Sequence, residues 1–159
     1  MKNTISIPFL KIIPVIIIFF TFSNITTAQN ELGRVNLYTQ FGAVPGLEAT
    51  VNVEMRLYSG NKVTWYGRAG GGFGGVLIAT GGPGGLAAIT MLTGKNNNHF
   101  ELNGGIFIGH DEYYNDTFYL PILDLGYRYQ KPAGGFLFKA KIGILGLGFG
   151  LGYAFKSRS

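Results

Sequence analysis

The sequence predicts an all-β fold, an antiparallel up-and-down barrel of about eight strands, on three observations. Beyond residue 29 apolar side chains recur at every second position, the period of a strand with two unlike faces. Compact turns rich in Gly, Asn and Pro punctuate these segments. Charged residues make up only 13 % of the chain, about half the share usual in water-soluble domains, while Gly reaches 26 residues.

The first 28 residues stand apart from the barrel. Lys2 and Lys11 precede the apolar run Ile12 to Phe22, and small and polar residues follow as far as Ala28. This is the order of a secretory signal peptide, helical in its apolar part, with cleavage expected after Ala28. The run is about half the roughly 20 residues that a spanning helix needs, and Pro14 interrupts it. The expected division is therefore 1–28 signal peptide and 29–159 barrel domain. Loss of Lys2 and Lys11 takes the formal charge from +5 to 5 − 2 = +3, too weak and too scattered a field to suggest nucleic acid. The absence of Cys excludes disulfide scaffolds, thiolate metal sites, Cys nucleophiles and lipidation at an N-terminal Cys.

The first strand sets Val35, Leu37, Thr39 and Phe41 against Arg34, Asn36, Tyr38 and Gln40. The second is the most regular, with Leu47, Ala49, Val51, Val53, Met55 and Leu57 opposite Glu48, Thr50, Asn52, Glu54 and Arg56. In the third, Val63, Trp65, Gly67 and Ala69 oppose Thr64, Tyr66 and Arg68; in the fourth, Leu86 to Leu92, Ala87, Ile89 and Met91 share a face. Phe100, Leu102, Ile106 and Ile108 oppose Glu101 and Asn103 in the fifth, and Leu123, Leu125, Tyr127 and Tyr129 oppose Asp124, Arg128 and Gln130 in the sixth. The seventh places Phe136, Phe138, Ala140 and Ile142 opposite Lys139 and Lys141. The eighth alternates Leu147, Phe149, Leu151, Tyr153 and Phe155 with Gly146, Gly148, Gly150, Gly152 and Ala154. Tight turns are expected at 59–62, 94–98 and 130–134, and the opposite end carries the connections 42–46, 71–85, 109–119 and 143–146.

Alternation alone permits a soluble, lipocalin-like barrel with its apolar face inside, or a membrane barrel with that face outside. Three features favour the transmembrane form. The aromatics Trp65, Phe100, Tyr127, Tyr129 and Phe136 gather near the compact turns, as in an interfacial girdle. A soluble barrel would expose a face of the last strand built almost wholly of Gly, at a cost in strand stability. The third is the closing segment Gly150 to Phe155, taken up below with the resemblance it carries. Given a membrane, an Arg or Lys on the lipid face near midplane costs about 2–4 kcal/mol, which turns the charged set inward. Bases Arg34, Arg56, Arg68, Arg128, Lys139 and Lys141 are then expected to face acids Glu48, Glu54, Glu101 and Asp124. Eight strands enclose a lumen just wide enough for such a network to fill, so an ion-paired plug is expected.

Leu125-Gly126-Tyr127-Arg128-Tyr129-Gln130, Gly134-Gly135-Phe136-Leu137-Phe138 and the closing Gly150-Leu151-Gly152-Tyr153-Ala154-Phe155 give the chain a likeness of pattern. It resembles the small outer-membrane barrels of the OmpA-transmembrane and OmpX type, and short barrels of Gram-negative bacteria. The resemblance implies an outer-membrane location, surroundings of lipid and lipopolysaccharide, and handling by the barrel-insertion machinery. It makes Gly150, Tyr153 and Phe155 the candidate C-terminal insertion signal, and it implies no activity and no specific protein partner.

Other chemistry finds little support. Gly70-Gly71-Gly72-Phe73-Gly74-Gly75 contains G-x-G-x-x-G, but no helix follows to bring its N-terminus to a phosphate. Gly94-Lys95 lacks the remaining residues of a phosphate-binding loop. Ser59, Ser157 and Ser159 fall in a turn and a tail, away from any activating His. His99 and His110 are separated by about 35 Å of strand and cannot share a metal. The loop His110 to Asp116 offers oxygens for weak cation binding but reads as a solvated loop, and the inward carboxylates read as ion-pair partners. No catalytic, cofactor or metal site is expected. The expected role is a non-enzymatic structural or surface-interaction role in the cell envelope. The alternatives are a narrow pore, suggested by the inward glycines of the third and eighth strands, and a soluble periplasmic ligand-binding barrel.

Overall fold

The computed structural model describes residues 32–76 and 80–156; the expected signal segment 1–28 lies outside them, as do Ser157 and Ser159. Eight strands follow one another as β1 (Val35–Ala43), β2 (Gly46–Ser59), β3 (Val63–Val76), β4 (Thr80–Lys95), β5 (Asn98–Asp111), β6 (Asp116–Gln130), β7 (Gly135–Gly143) and β8 (Gly146–Phe155). Each pairs antiparallel with the next, and β8 returns to β1 through pairs such as Leu37↔Tyr153 and Phe41↔Phe149, closing the sheet. Closure leaves every strand paired on both sides over at least part of its length, which removes the free edges of an open sheet.

The period-two pattern has a direct physical counterpart. Along β2 the side chains alternate between exposed Val51, Val53 and Met55 and buried Thr50, Asn52 and Glu54. Val53 is 46 % exposed and Glu54 is 0 %. The outer surface is apolar around the whole circumference, while the inner surface is polar through its middle.

Two local departures from the sequence reading follow from the backbone. The segment 71–85, expected as a connection, is largely ladder: β3 runs to Val76 and β4 begins at Thr80, joined by pairs such as Gly71↔Gly85 and Gly75↔Gly81. Glycines carry no side-chain alternation, so the pattern falls silent there while the backbone hydrogen bonds continue. The G-x-G-x-x-G segment therefore lies within β3, and the next element among the described residues is the strand β4. Near the other end of β2 a register shift between Arg56 and Tyr58 leaves Leu57 as an extra residue, and both Leu57 and Tyr58 are exposed.

The strands are unequal. β2 to β6 have 14 to 16 residues, whereas β7, β8 and β1 have 9, 10 and 9. β6 meets β7 only from Asp124↔Gly143 onward, so residues 116–123 pair with β5 alone among the described residues. Pro121 falls in that stretch, where a strand tolerates the missing N–H.

Glycine shapes the inside. A Cβ added at Gly152 would lie 2.2 Å from the Leu37 carbonyl oxygen and 2.3 Å from the Tyr38 Cβ, so β8 must be bare there for Tyr38 to lie across it. Gly104 is different: an added Cβ meets nothing within 4 Å. Gly152→Ala should therefore destabilise the barrel by about 1–3 kcal/mol through overpacking. Gly104→Ala should be neutral or stabilise by up to about 1 kcal/mol by restricting the unfolded chain. Urea unfolding followed by the fluorescence of the single Trp, Trp65, measures both.

Candidate functional site

The inward face of β6 displays the layering of the interior. From the loop end to the turn end it reads Phe118, Leu120, Ile122, Asp124, Gly126, Arg128 and Gln130, apolar first and ionic afterwards. The ionic middle consists of two groups of four, each with two acids and two bases.

The inner group is Glu54, Glu101, Arg128 and Lys139. Arg128 on β6 grips Glu54 on β2 with both terminal nitrogens, Nη1 to Oε2 at 2.7 Å and Nη2 to Oε1 at 2.8 Å. This is the planar, two-point geometry that makes Arg–carboxylate pairs strong. The Arg128 Nε donates to Glu101 Oε2, and Lys139 Nζ lies 2.7 Å from Glu101 Oε1 and 3.3 Å from Glu54 Oε1. Tyr38 donates its hydroxyl to Glu54 Oε1 at 2.6 Å and accepts from Lys139 Nζ at 2.9 Å. The lysine ammonium also stands 4.1 Å from the centroid of the Tyr38 ring. Asn36 and Asn103 complete the group by donating to Glu54 and Glu101.

The outer group, nearer the loop end, is Glu48, Asp124, Arg68 and Lys141. Lys141 Nζ bridges Glu48 Oε2 and Asp124 Oδ2, and Arg68 Nη2 reaches Glu48 Oε1 at 3.2 Å. Gln40 donates to both Glu48 oxygens at 3.0 Å, Thr50 donates to Oε1, and Arg68 Nε donates to Asn52 Oδ1. With two carboxylates and two cations apiece, each group sums to zero when ionised.

Apolar side chains close both ends of this ionic column. At the loop end Leu86, Phe107, Ile122 and Leu145 form one cluster, with Phe118 and Leu120 packed against it. Leu145 belongs to the β7–β8 connection and turns inward until it is fully buried. Gly46 makes room for it, since a Cβ there would lie 2.7 Å from the Leu145 Cα. At the turn end Leu32, Tyr66 and Leu92 pack together, held by the Tyr66 hydroxyl on the Gly33 carbonyl and Arg56 Nη1 on the Leu32 carbonyl.

The remaining residues singled out from the sequence take varied places. Arg34 lies exposed just ahead of β1 and does not join either group, and Arg56 is half-buried at the turn-end rim with the Leu32 carbonyl as a partner. Trp65, Phe100, Tyr127 and Phe136 are exposed toward the turn end, while Tyr129 is half-buried. Tyr58, placed outward by the register shift, joins this aromatic set and pairs with Trp65. Gly150 faces inward beside the Lys139 stem, and Tyr153 and Phe155 face outward in edge-to-face contact at 5.1 Å. His99 is buried against the Gln130 carbonyl, His110 is exposed, and Ser59 is exposed at the end of β2. Local alternation gave no sign of Leu32 and Leu145, which come from outside the strands, nor of which acid meets which base.

At the loop end Asp111 organises the β5–β6 connection. It accepts from the Tyr114 and Tyr113 amides, the Thr80 hydroxyl and the Gly81 amide. The bond from the Tyr114 amide leads these in holding the Asp111 carboxyl below its ordinary range. Tyr113 and Tyr114 project from the loop, 87 % and 68 % exposed, ring against ring edge at 4.9 Å. Two shallow hollows of about 490 Å³ each lie on the outer wall, one beside Val53, Met55 and Ile89 and one beside Phe41, Leu47 and Phe149. Comparison of the chain with known protein families, with curated proteins and with solved structures returned no match.

Removing one member of the inner group strands its partners in a buried site, so Glu54→Ala and Arg128→Ala should each cost about 3–5 kcal/mol. The double variant should cost clearly less than the sum, because the second substitution removes the charge that the first left unpaired. Urea unfolding of the four proteins closes the cycle. A depressed carboxyl stabilises at pH above the unfolded Asp value and ceases to do so as pH falls through the folded value. Asp111→Ala should accordingly speed amide exchange at Tyr113 and Tyr114 at neutral pH, and wild type should show the same loosening only in acid.

Proposed function

We propose that the protein is a non-enzymatic outer-membrane β-barrel that serves the cell envelope as a structural or surface-contact element. The observation that carries this reading is the sidedness of the closed sheet. Large apolar residues stand exposed on the outside of every strand, among them Leu37, Val53, Ile89, Ile108, Leu125 and Leu151, while the ionic groups of both fours are buried. In water such a surface far exceeds the apolar patches that monomeric proteins expose. In lipid it is the expected exterior.

The dimensions support the same reading. The outward run on β2 from Leu47 to Leu57 spans 57 − 47 = 10 steps, about 33 Å of strand. At a tilt of about 40° this gives roughly 25 Å of height, the thickness of the apolar band on membrane barrels. Aromatic side chains at the turn end, Trp65, Tyr127 and Tyr153 among them, stand where a girdle at the lipid boundary would lie.

The interior weighs against the other readings. A lipophilic ligand would meet eight ionised side chains in the lumen instead of an apolar cavity. A pore would have to pass Leu145 and Phe107 at one end, the bridged ionic groups in the middle and Tyr66 with Leu92 at the other. Every carboxylate of the two fours is already engaged by a cation, which leaves little scope for general acid or base work.

Cell fractionation combined with heat-modifiable gel mobility tests the membrane assignment. The chain is expected in the outer-membrane fraction as a compact species that unfolds only on boiling, and recovery in the detergent-free periplasmic fraction would overturn the proposal. A single substitution gives an independent check. Val53→Arg should destabilise the barrel in lipid by about 2–4 kcal/mol, whereas a barrel facing water would accept it with little change.

A further inference from the structure

Although both ionic groups hold two acids and two bases, their hydrogen bonding is unequal. Among the described residues the buried side-chain atoms without a partner are Gln40 Oε1, Arg68 Nη1 and Asp124 Oδ1. All three belong to the outer group and its immediate scaffold: Gln40 and Arg68 share the Glu48 carboxylate, and Lys141 links that carboxylate to Asp124. Their residues are 1 %, 3 % and 1 % exposed. A buried polar atom left unpaired gives up its hydration with no return, so three together constitute a demand that the fold must meet.

We propose that the outer group is a hydration site, in which one ordered water, or two in contact, bridges Arg68 Nη1 to Gln40 Oε1 and Asp124 Oδ1. The chemistry of the three atoms selects the ligand. They offer one donor nitrogen and two acceptor oxygens, the complement of a molecule that accepts once and donates twice. An anion such as chloride would satisfy Arg68 and leave both oxygens facing a negative charge. A metal ion or ammonium would sit against the guanidinium. Water satisfies all three without changing the net charge of the group.

The orientation of Gln40 strengthens the assignment. Its amide nitrogen donates to both oxygens of Glu48, and turning the amide over would set its oxygen against a carboxylate. Gln40 Oε1 is thus fixed as an acceptor with no donor of its own. The inner group contains none of the unpartnered atoms, because Arg128, Lys139, Tyr38, Asn36 and Asn103 consume its hydrogen-bonding capacity. The barrel therefore holds a wet ionic group and a dry one, stacked between apolar ends. The inference rests on the lumen alone and holds whether the outer surface faces lipid or water.

The test compares the two guanidinium groups in one sample. The refolded full-length chain, labelled with nitrogen-15, is examined by water-selective NOE and ROE spectroscopy, in which cross-relaxation of opposite sign separates bound water from proton exchange. Cross-peaks from long-lived water to the Arg68 side-chain protons, with none to those of Arg128, are expected. Gln40→Met, which keeps the volume and removes the acceptor, should weaken the Arg68 cross-peak several-fold while leaving the Arg128 signals unmoved. Absence of bound water at Arg68 in the wild type, or equal cross-peaks at Arg68 and Arg128, overturns the proposal.

Discussion

The carboxylate of Glu54, on β2, accepts from Arg128 on β6, Lys139 on β7 and Tyr38 on β1, so that one side chain fastens four strands across the lumen. Backbone pairing in a barrel joins only neighbours, and β2 and β6 are not neighbours. Strand number and stagger set the mean radius of a closed barrel, and contacts through the centre add direct ties between walls that the ladder does not join. Charges suit that task because they reach far and because Arg offers a rigid fork. The condition is that each charge be matched where it lies, since withdrawing a single ion from water costs several kcal/mol. Grouping the eight ionic residues into two neutral fours meets that condition locally.

Bare backbone on one wall is the counterpart of bulk on another. Arg128, Lys139 and Tyr38 are long side chains in a narrow tube, and the inward face of β8 yields space through Gly148, Gly150 and Gly152. Phe107 likewise lies against Gly74, where a Cβ would come within 2.9 Å of its ring. Glycines on the two walls thus differ in role. Inward ones admit large neighbours, while Gly67 and Gly104 on the outer wall leave it locally concave.

Much of this architecture is legible in the sequence because a strand writes its two environments at alternate positions. Leu47 to Leu57 is the plainest instance, and it places Glu48 and Glu54 on one side without further information. The same logic fails where side chains are missing, as across Gly70 to Gly75, where the ladder continues unmarked. It also fails at the register shift near Leu57, where one extra residue brings Tyr58 to the outside. The charges of Arg34 and Arg56 read as equivalent to that of Arg128, yet they lie toward the strand ends, Arg34 exposed ahead of β1 and Arg56 half-buried at the rim on the Leu32 carbonyl. Partner choice within the interior is non-local. Glu54 and Arg128 are separated by 74 residues and by strands that do not touch, so no periodicity could have paired them.

Because β7, β8 and β1 stop early while β3 to β6 continue, the mouth is cut obliquely, like a quill. One wall stands taller than the other, and the Tyr113–Tyr114 pair crowns it. An approaching molecule would meet that crest well before the low side, so contact at this surface has a built-in compass bearing about the barrel axis. Four connections around a level rim would present no such preference.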